Sequence, residues 1–324
     1  MLRAALVFLG LLGVAGLPGL ARAQYSMVTD PPSRWAWSGH VASDFRMEFE
    51  TKSDAGDEFD AWRSGIEGSV GGPINQSVLV GFAARYAHSS FDFNLDNGAP
   101  LVYGGTRLPR EPWNTINTLD LVPHTTVLIG DQVSVVATVP IRWAAESGAD
   151  RNAFAGGISA IVRWQVNDDL MVGAGLGVTS QLGRDAETFP IVALDWRIDE
   201  SLDLRTEGDW LQGGSTALYY GPSETVRFLL SAGYERTRFR LDDYGSARDT
   251  DGIGEITTVP LEVGLRLQFL EGAWFDFRTG LGVAGRIRVE TAGGNKLYDQ
   301  QFDPAWRWSM AVHIPIGDPG SGPD

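Results

Sequence analysis

The chain has 324 residues, of which 41 are acidic and 26 basic, and its formal net charge is −15 at pH 7. This acidic balance argues against nucleic acid and anionic lipid as partners, because both carry negative charge themselves. The chain has no cysteine, which excludes disulfides and thiolate metal sites. It also has 40 glycines and 11 tryptophans, and tryptophan is favoured where one edge of the ring is apolar and the other is wet.

The first 23 residues have the pattern of a secretory signal peptide. Arg3 supplies the positive start, residues 4–17 the apolar stretch, and residues 21–23 a small-x-small cleavage site. The mature chain is therefore predicted to begin at Gln24, with a short periplasmic segment at 24–34. No later stretch approaches about 18 uninterrupted apolar residues, which excludes helical membrane spans.

From residue 35 onward, apolar and polar residues alternate with a period of two, as side chains do on the two faces of a β-strand. The segments that alternate, in chain order, are 35–49, 62–70, 78–86, 115–128, 133–143, 158–166, 170–178, 190–198, 226–234, 259–269, 275–289 and 306–316. Two shorter segments, 202–207 and 216–220, are also interpreted as strands.

The connections between these segments alternate between short turns and long loops. Short turns are predicted at 71–76, 130–131, 167–169, 199–201, 221–224 and 271–272, and a longer loop follows each strand pair. An up-and-down barrel has this rhythm, with tight periplasmic turns, long external loops and both termini in the periplasm. We therefore predict an all-β, antiparallel barrel of about fourteen strands (twelve to sixteen) over 35–316, followed by a disordered tail at 317–324.

The composition of the two strand faces separates a membrane barrel from a soluble one. A soluble sandwich or barrel also alternates, but it buries its apolar face. Here the other face mixes glycine, alanine and serine with arginine and carboxylates, which favours a polar lumen inside a lipid-facing, transmembrane barrel. Closure is expected, because an unpaired backbone group in hydrocarbon costs several kcal/mol. Aromatic residues near strand ends are predicted to form interfacial girdles: Trp35, Trp37, Trp143, Trp164, Trp196, Phe269, Phe275, Trp306 and Trp308.

In this rhythm of strands and turns, from Trp35 to Ile316, the chain resembles bacterial outer-membrane β-barrels, more particularly the small porin-like families of uncharacterised function. The resemblance implies an outer-membrane location, contact with outer-membrane lipid and insertion by the barrel-assembly machinery. One feature departs from the common pattern. Such barrels often end on a terminal aromatic residue, whereas here the last strand ends at Ile316 and a tail follows.

Charged side chains on the inward face are the main candidates for function. The arginines are Arg85, Arg142, Arg163, Arg197, Arg227, Arg266, Arg278, Arg286, Arg288 and Arg307, and the carboxylates are Asp44, Glu48, Glu67, Asp195, Glu235, Glu262 and Asp276. A lumen lined in this way could pass small hydrophilic solutes, and its arginine rows could favour anions. We therefore predict a passive, porin-like channel. The alternative is a closed structural or adhesin-like barrel, filled by its own ion pairs. The oligomeric state stays open.

Other functions find less support in the sequence. The four histidines, His40, His88, His124 and His313, have no metal-ligand spacing, and neither a G-x-S-x-G elbow nor a P-loop is present. No enzymatic activity and no cofactor are therefore predicted. A membrane-embedded hydrolase using His88 and a fatty-acid-type transporter are weaker alternatives, the latter similar only in strand count. The acidic loop at 240–254 could hold Ca²⁺, although its spacing matches no EF-hand.

Overall fold

The computed structural model describes residues 37–52, 58–94, 102–103, 106–107, 112–149, 152–209, 213–223, 225–242 and 251–317. The predicted signal peptide, the segment at 24–34, Trp35 and all but the first residue of the predicted tail lie outside these residues. The strands are β1 Ser38–Lys52, β2 Glu58–Asn75, β3 Val78–Asn94, β4 Val102–Tyr103, β5 Thr106–Arg107, β6 Thr115–Ile129, β7 Val133–Thr138, β8 Ile141–Glu146, β9 Phe154–Asn167, β10 Leu170–Gln181, β11 Arg184–Asp199, β12 Leu202–Asp209, β13 Gly213–Ser223, β14 Val226–Arg240, β15 Ile253–Leu270, β16 Ala273–Glu290, β17 Lys296–Phe302 and β18 Ala305–Ile316. No helix among the described residues is long and apolar enough to cross a membrane.

Sixteen of these strands form one closed antiparallel barrel with fourteen positions, and β4 and β5 form a separate two-stranded sheet. Successive positions of the barrel pair with each other, and β1 closes the ring by pairing with β18 from Gly39–Ile316 to Phe49–Trp306. Two positions are interrupted strands, β7 with β8 and β17 with β18. Pro140 and Pro304 lie at the two interruptions, where a residue without a backbone N–H cannot continue the ladder. The predicted up-and-down barrel is confirmed.

The short turns and both ends of the described chain lie at one end of the barrel, which is therefore the periplasmic end. Gly130 and Gly272 occupy two of these turns with φ values of 68° and 69°, a conformation that glycine adopts without steric cost. Two turns differ from the prediction. β2 continues through 71–75 to Asn75, so its hairpin turns at residues 76–77 instead. β13 continues to Ser223, which pairs with Val226, so that hairpin turns after residue 223 and not from 221.

The outer surface is apolar and the interior is charged. Ile158, Leu176 and Leu270 on the outside are at least 60% exposed, whereas Asp120 and Arg307 on the inside are 1% and 0% exposed. A water-soluble protein would bury these outward apolar side chains, because exposed apolar area is costly in water. An apolar outer surface of this kind is instead typical of a barrel surrounded by lipid acyl chains. The protein is therefore an outer-membrane β-barrel, as predicted.

Most of the predicted girdle aromatics lie near the two edges of the apolar belt. Trp37, Trp164, Trp196, Phe269 and Phe275 lie near the periplasmic ends of their strands, and Trp143, Trp306 and Trp308 lie towards the other ends. Trp306 and Trp37 are each 55% exposed. Trp308 instead packs against the outward rings of Phe45 and Phe49.

Candidate functional site

A cavity of about 670 Å³ lies inside the barrel, and we call it the lumen cavity. Its lining begins at the periplasmic turns, with Gly39, Gly71 and Gly272, and rises to Arg46 and Arg63. Because the lining includes residues of the periplasmic rim, the cavity opens to that end of the barrel.

The lumen cavity has as many cations as anions along its described lining. The arginines are Arg46, Arg63, Arg85, Arg163, Arg205, Arg266 and Arg278, and the carboxylates are Asp44, Glu67, Asp195, Glu207, Glu235, Glu262 and Asp276. The sequence did not single out Arg46, Arg63, Arg205 or Glu207. Arg46 and Arg63 belong to weakly alternating segments, and the other two lie on the short β12, but the alternation of their strands could have identified all four.

The periplasmic side of the lining is built around Asp276. Arg266 donates to both its carboxylate oxygens, at 2.7 Å each, and the guanidinium lies over the rings of Tyr219 and Trp274. Arg278 bridges from Asp276 to Glu207, which is 3.3 Å away and also accepts from the Tyr219 hydroxyl. A bidentate arginine with stacked rings is held in one orientation, so this part of the lining is rigid.

Arg307 anchors a second group of carboxylates. Its guanidinium lies 3.1 Å from Glu235, 2.9 Å from Glu262 and 3.5 Å from Glu48. Arg46 approaches the same Glu235 at 2.7 Å. Arg307 is fully buried and does not belong to the described lining of the lumen cavity. It lies behind that lining and holds Glu235 and Glu262, which do line the cavity.

Other predicted lumen residues form ion pairs away from the cavity lining. Arg142 donates to Asp120 at 2.6 and 2.7 Å, both side chains being buried. Arg227 pairs with Asp203 at 2.7 Å. Arg197 lies 3.5 Å from Asp169 at the periplasmic turns, where both side chains are largely exposed. Arg85, which does line the cavity, donates to Asp44 at 2.7 Å.

Arg286 and Arg288 lie on the opposite face of β16 from the one that its alternation predicts. The pairing of β15 with β16 shifts by one residue after Val283, and Ala284 has a φ of 51°. One extra residue in a strand, a β-bulge, moves every later side chain to the other face. Arg286 therefore contacts Asp299, and Arg288 lies 3.5 Å from Glu255, outside the lumen cavity.

These side chains belong to a charged layer that covers the extracellular ends of β14–β17. Arg236 donates to Glu255 at 2.7 Å, and Arg238 donates to Glu290 at 2.5 Å and to the Leu182 carbonyl at 2.7 Å. The last contact joins β14 to the hairpin between β10 and β11. Because that hairpin lies on the far side of β12 and β13, β14 must lean inwards across the barrel mouth.

An apolar plug fills the other side of the same mouth. Its side chains come from the extracellular ends of β2, β6, β8, β14, β16 and β17 or from residues next to them: Phe59, Trp113, Ile116, Ala144, Phe239, Leu241, Ile287, Val289, Leu297, Tyr298 and Phe302. Trp113 meets Phe239 edge to face, with 5.0 Å between ring centroids. Arg240 at the end of β14 pairs with Ala145 of β8. The plug and the charged layer thus close the extracellular end.

The wall of the barrel has a gap beside β11. β11 pairs with β12 only over residues 195–199, and the last tie is the Leu194 N–H, which donates to Thr206 Oγ1 at 3.0 Å. Beyond this tie, the described residues 206–209 of β12 pair with β13 and not with β11. The lumen cavity is lined by residues 191–194, so it borders this gap.

One side of the interior is apolar, which the sequence did not indicate. Ala83, Val122, Val136, Ile161, Phe189 and Ile191 pack together on the inward faces of β3, β6, β7, β9 and β11. The cluster borders the wall gap, because Ile191 belongs to both the cluster and the lumen cavity.

The histidines lie in different surroundings. His40, His124 and His313 line the lumen cavity. His88 instead lies 3.1 Å from the side-chain oxygen of Asn117 and packs at a tilt against the ring of Trp62. Within the described ranges, no three histidine or carboxylate side chains are grouped so as to hold a metal ion. Most of the acidic loop at 240–254 lies outside these ranges.

No family model and no curated protein matches the chain. Among solved structures it is similar to an outer-membrane channel from Pseudomonas putida F1, with 10% identity over 89% of this chain and 97% of that one (TM-score 0.48). It is also similar to the deltaS2 mutant of the monoaromatic hydrocarbon channel TodX, with 8% identity over 94% and 98% (TM-score 0.47). A third is the translocator domain of the autotransporter NalP from Neisseria meningitidis, with 11% identity over 98% and 96% (TM-score 0.39). With identities and TM-scores this low, the barrel fold follows from the strand pairing alone.

Proposed function

We propose that this barrel is a passive channel for small polar solutes and that the lumen cavity is its conduit. The observation that carries the proposal is a cavity of about 670 Å³ that opens to the periplasmic end and is lined by seven arginines and seven carboxylates. Fixed charges of both signs replace part of the hydration of a polar solute without holding it tightly, which passage requires.

The route of the solute follows from which end is closed. The apolar plug and the charged layer fill the extracellular mouth, so the axial route ends at Phe239 and its neighbours. The proposal assigns the second opening of the cavity to the wall gap beside β11, where residues 191–194 line the cavity.

Conductance across a planar bilayer tests both the channel and its route. The native chain has no cysteine, so a single Ala193→Cys variant can be modified with a bulky thiol reagent inside the gap. We expect modification to lower the single-channel conductance at least threefold. The matched control is Ala174→Cys on the neighbouring β10, whose side chain is exposed on the lipid-facing side; its modification should leave the conductance unchanged.

Two results would contradict this proposal. Equal conductance before and after modification of Ala193→Cys would exclude the wall gap as the route. A conductance that rises severalfold in Phe302→Ala, which opens a hole in the apolar plug, would assign the route to the barrel axis instead.

A closed structural or surface barrel is the second candidate, and the filled extracellular mouth favours it. It predicts no single-channel events from the native protein, although the protein still migrates as a heat-modifiable folded barrel. That result would favour the closed structural barrel over the channel.

A further inference from the structure

Three polar side chains meet at the periplasmic mouth of the lumen cavity. His40 of β1 lies directly opposite Ser69 of β2 in the strand ladder, and Glu67 precedes Ser69 by two residues on the same strand. All three therefore share the inward face, and all three line the cavity. The Ser69 Oγ lies 2.8 Å from His40 Nδ1, and His40 Nε2 lies 3.4 Å from Glu67 Oε1.

The position of the Glu67 carboxylate determines which nitrogen of the His40 imidazole carries the proton. A neutral imidazole carries one N–H, and Glu67 beside Nε2 favours the proton on that nitrogen. Nδ1 is then the acceptor, and the Ser69 hydroxyl must donate to it. This is the order of roles in nucleophilic serine catalysis: a hydroxyl, a base that accepts its proton, and an acid that orients the base. The two ring nitrogens are exchanged relative to the Ser-His-Asp arrangement of serine proteases, which leaves the proton transfer itself unaltered.

The surroundings of the three residues give a binding place for an acyl group. Pro315 lies opposite His40 in the pairing of β1 with β18. Trp274, on the inward face of β16, lies against His313 and lines the same part of the cavity. The His40 side chain is about one third exposed, whereas Glu67 is only 11% exposed. A small apolar group can therefore lie beside a nucleophile that water also reaches.

We propose that Ser69, His40 and Glu67 form a hydrolytic site for short-chain carboxylic esters that enter from the periplasmic end. Ser69 Oγ attacks the ester carbonyl carbon while its proton passes to His40 Nδ1. The tetrahedral intermediate then expels the alcohol, which takes that proton, and leaves an acyl group on Ser69. Water attacks the acyl-serine with His40 as base, releasing the carboxylic acid and restoring the hydroxyl. Ester and water thus become acid and alcohol.

The expected rate is low, for a reason that the strand geometry supplies. Ser69 lies on a regular strand, where backbone N–H groups are engaged in the ladder. Charge on the oxyanion must then be stabilised by side chains such as Arg85, which lies opposite Glu67. Losing one oxyanion donor costs other serine hydrolases roughly 10²–10³-fold in kcat. The site is therefore expected to act on activated esters.

The test uses the refolded full-length barrel with p-nitrophenyl acetate and a fluorophosphonate probe. We expect hydrolysis above background, and labelling of Ser69 identified by peptide mass. Ser69→Ala and His40→Gln should each lower the rate at least 30-fold and abolish labelling. Ser231→Ala is the matched control, since Ser231 lines the same cavity on β14, and its rate should be unchanged.

Glu67 is a positioning residue, and its variants distinguish an effect on the orientation of the His40 imidazole from a loss of folding. Glu67→Gln should lower the rate about tenfold and alter its pH profile, and Glu67→Asp should restore part of it. Heat-modifiable migration checks that each variant is folded. Equal hydrolysis by the native protein and Ser69→Ala, or a label on another residue, would overturn the proposal. Conductance of Ser69→Ala should equal that of the native protein, so the channel and the hydrolytic site can fail independently.

Discussion

Arg307 is a single residue on which three carboxylates depend. It is 0% exposed, and Glu48, Glu235 and Glu262 all lie within 3.5 Å of its guanidinium. Removing one partner of a buried ion pair leaves an uncompensated charge, which costs about 3–5 kcal/mol. We predict that Arg307→Met lowers the free energy of unfolding by about that amount, measured by urea titration in lipid vesicles.

The matched control for this prediction is Arg197→Met. Arg197 also pairs with a carboxylate, at 3.5 Å from Asp169, but the two side chains are 61% and 57% exposed. Water already solvates both charges, so the expected loss is below about 1 kcal/mol. Equal losses in the two variants would show that the interior around Arg307 is hydrated.

Glu146 makes the closed extracellular mouth sensitive to pH. It ends β8 beyond Trp143, outside the lipid-facing belt, and accepts from the Asn114 and Asp242 N–H groups at 2.9 and 3.1 Å. Burial raises the pKa of Glu146 from 4.5 to about 7, and the two amides offset only part of this effect. Between these two values the folded chain holds a proton that the unfolded chain has released, so stability falls as the pH rises.

The prediction is that Glu146→Gln, which cannot ionise, removes this dependence. Relative to Glu146→Gln, the native protein should lose about 3 kcal/mol of unfolding free energy between pH 4.5 and pH 8. Unfolding midpoints in urea at several pH values give the difference directly. Parallel curves for the two proteins would mean that the Glu146 carboxylate is well solvated.

At the scale of strands, the sequence predicts regular elements well and irregular ones poorly. The alternation at 259–269 and 306–316 locates β15 and β18, because lipid on one side and charge on the other require it. The bulge at Ala284 is invisible to that pattern, since one extra residue exchanges the faces of Arg286 and Arg288. A two-face pattern indicates that a strand exists but not where its register shifts.

The wall gap shows a second limit of strand patterns. The segment at 190–198 alternates and forms part of β11, as predicted. Nothing in its own residues reveals that, in the described part of the chain, its pairing with β12 covers only residues 195–199. Pairing depends on both strands, so the alternation of β11 alone cannot predict where it stops.

At the scale of the whole molecule, the location of charge was predictable but the closure of the mouth was not. The placement of apolar side chains outside the barrel and charged side chains inside it follows from the period-two pattern, which can be read from a single sequence. The apolar plug combines Phe59, Phe239 and Phe302, which are separated by most of the chain. Each looks like an ordinary member of its own strand. Only the barrel's closure brings them together across one end.

The charge balance of the lumen cavity gives the last prediction. Arginine rows alone would favour anions, yet the described lining has as many carboxylates as arginines. Because fields of opposite sign cancel over the length of the conduit, we predict a cation-to-anion permeability ratio of roughly one, measured from the reversal potential in a KCl gradient.

Arg205 and Asp195 lie 3.4 Å apart beside the wall gap. Arg205→Gln should therefore shift the ratio towards cations, and Asp195→Asn towards anions. Arg197→Gln, at the periplasmic rim, should leave it unchanged. A strong anion preference in the native protein would contradict this balance of charge along the conduit.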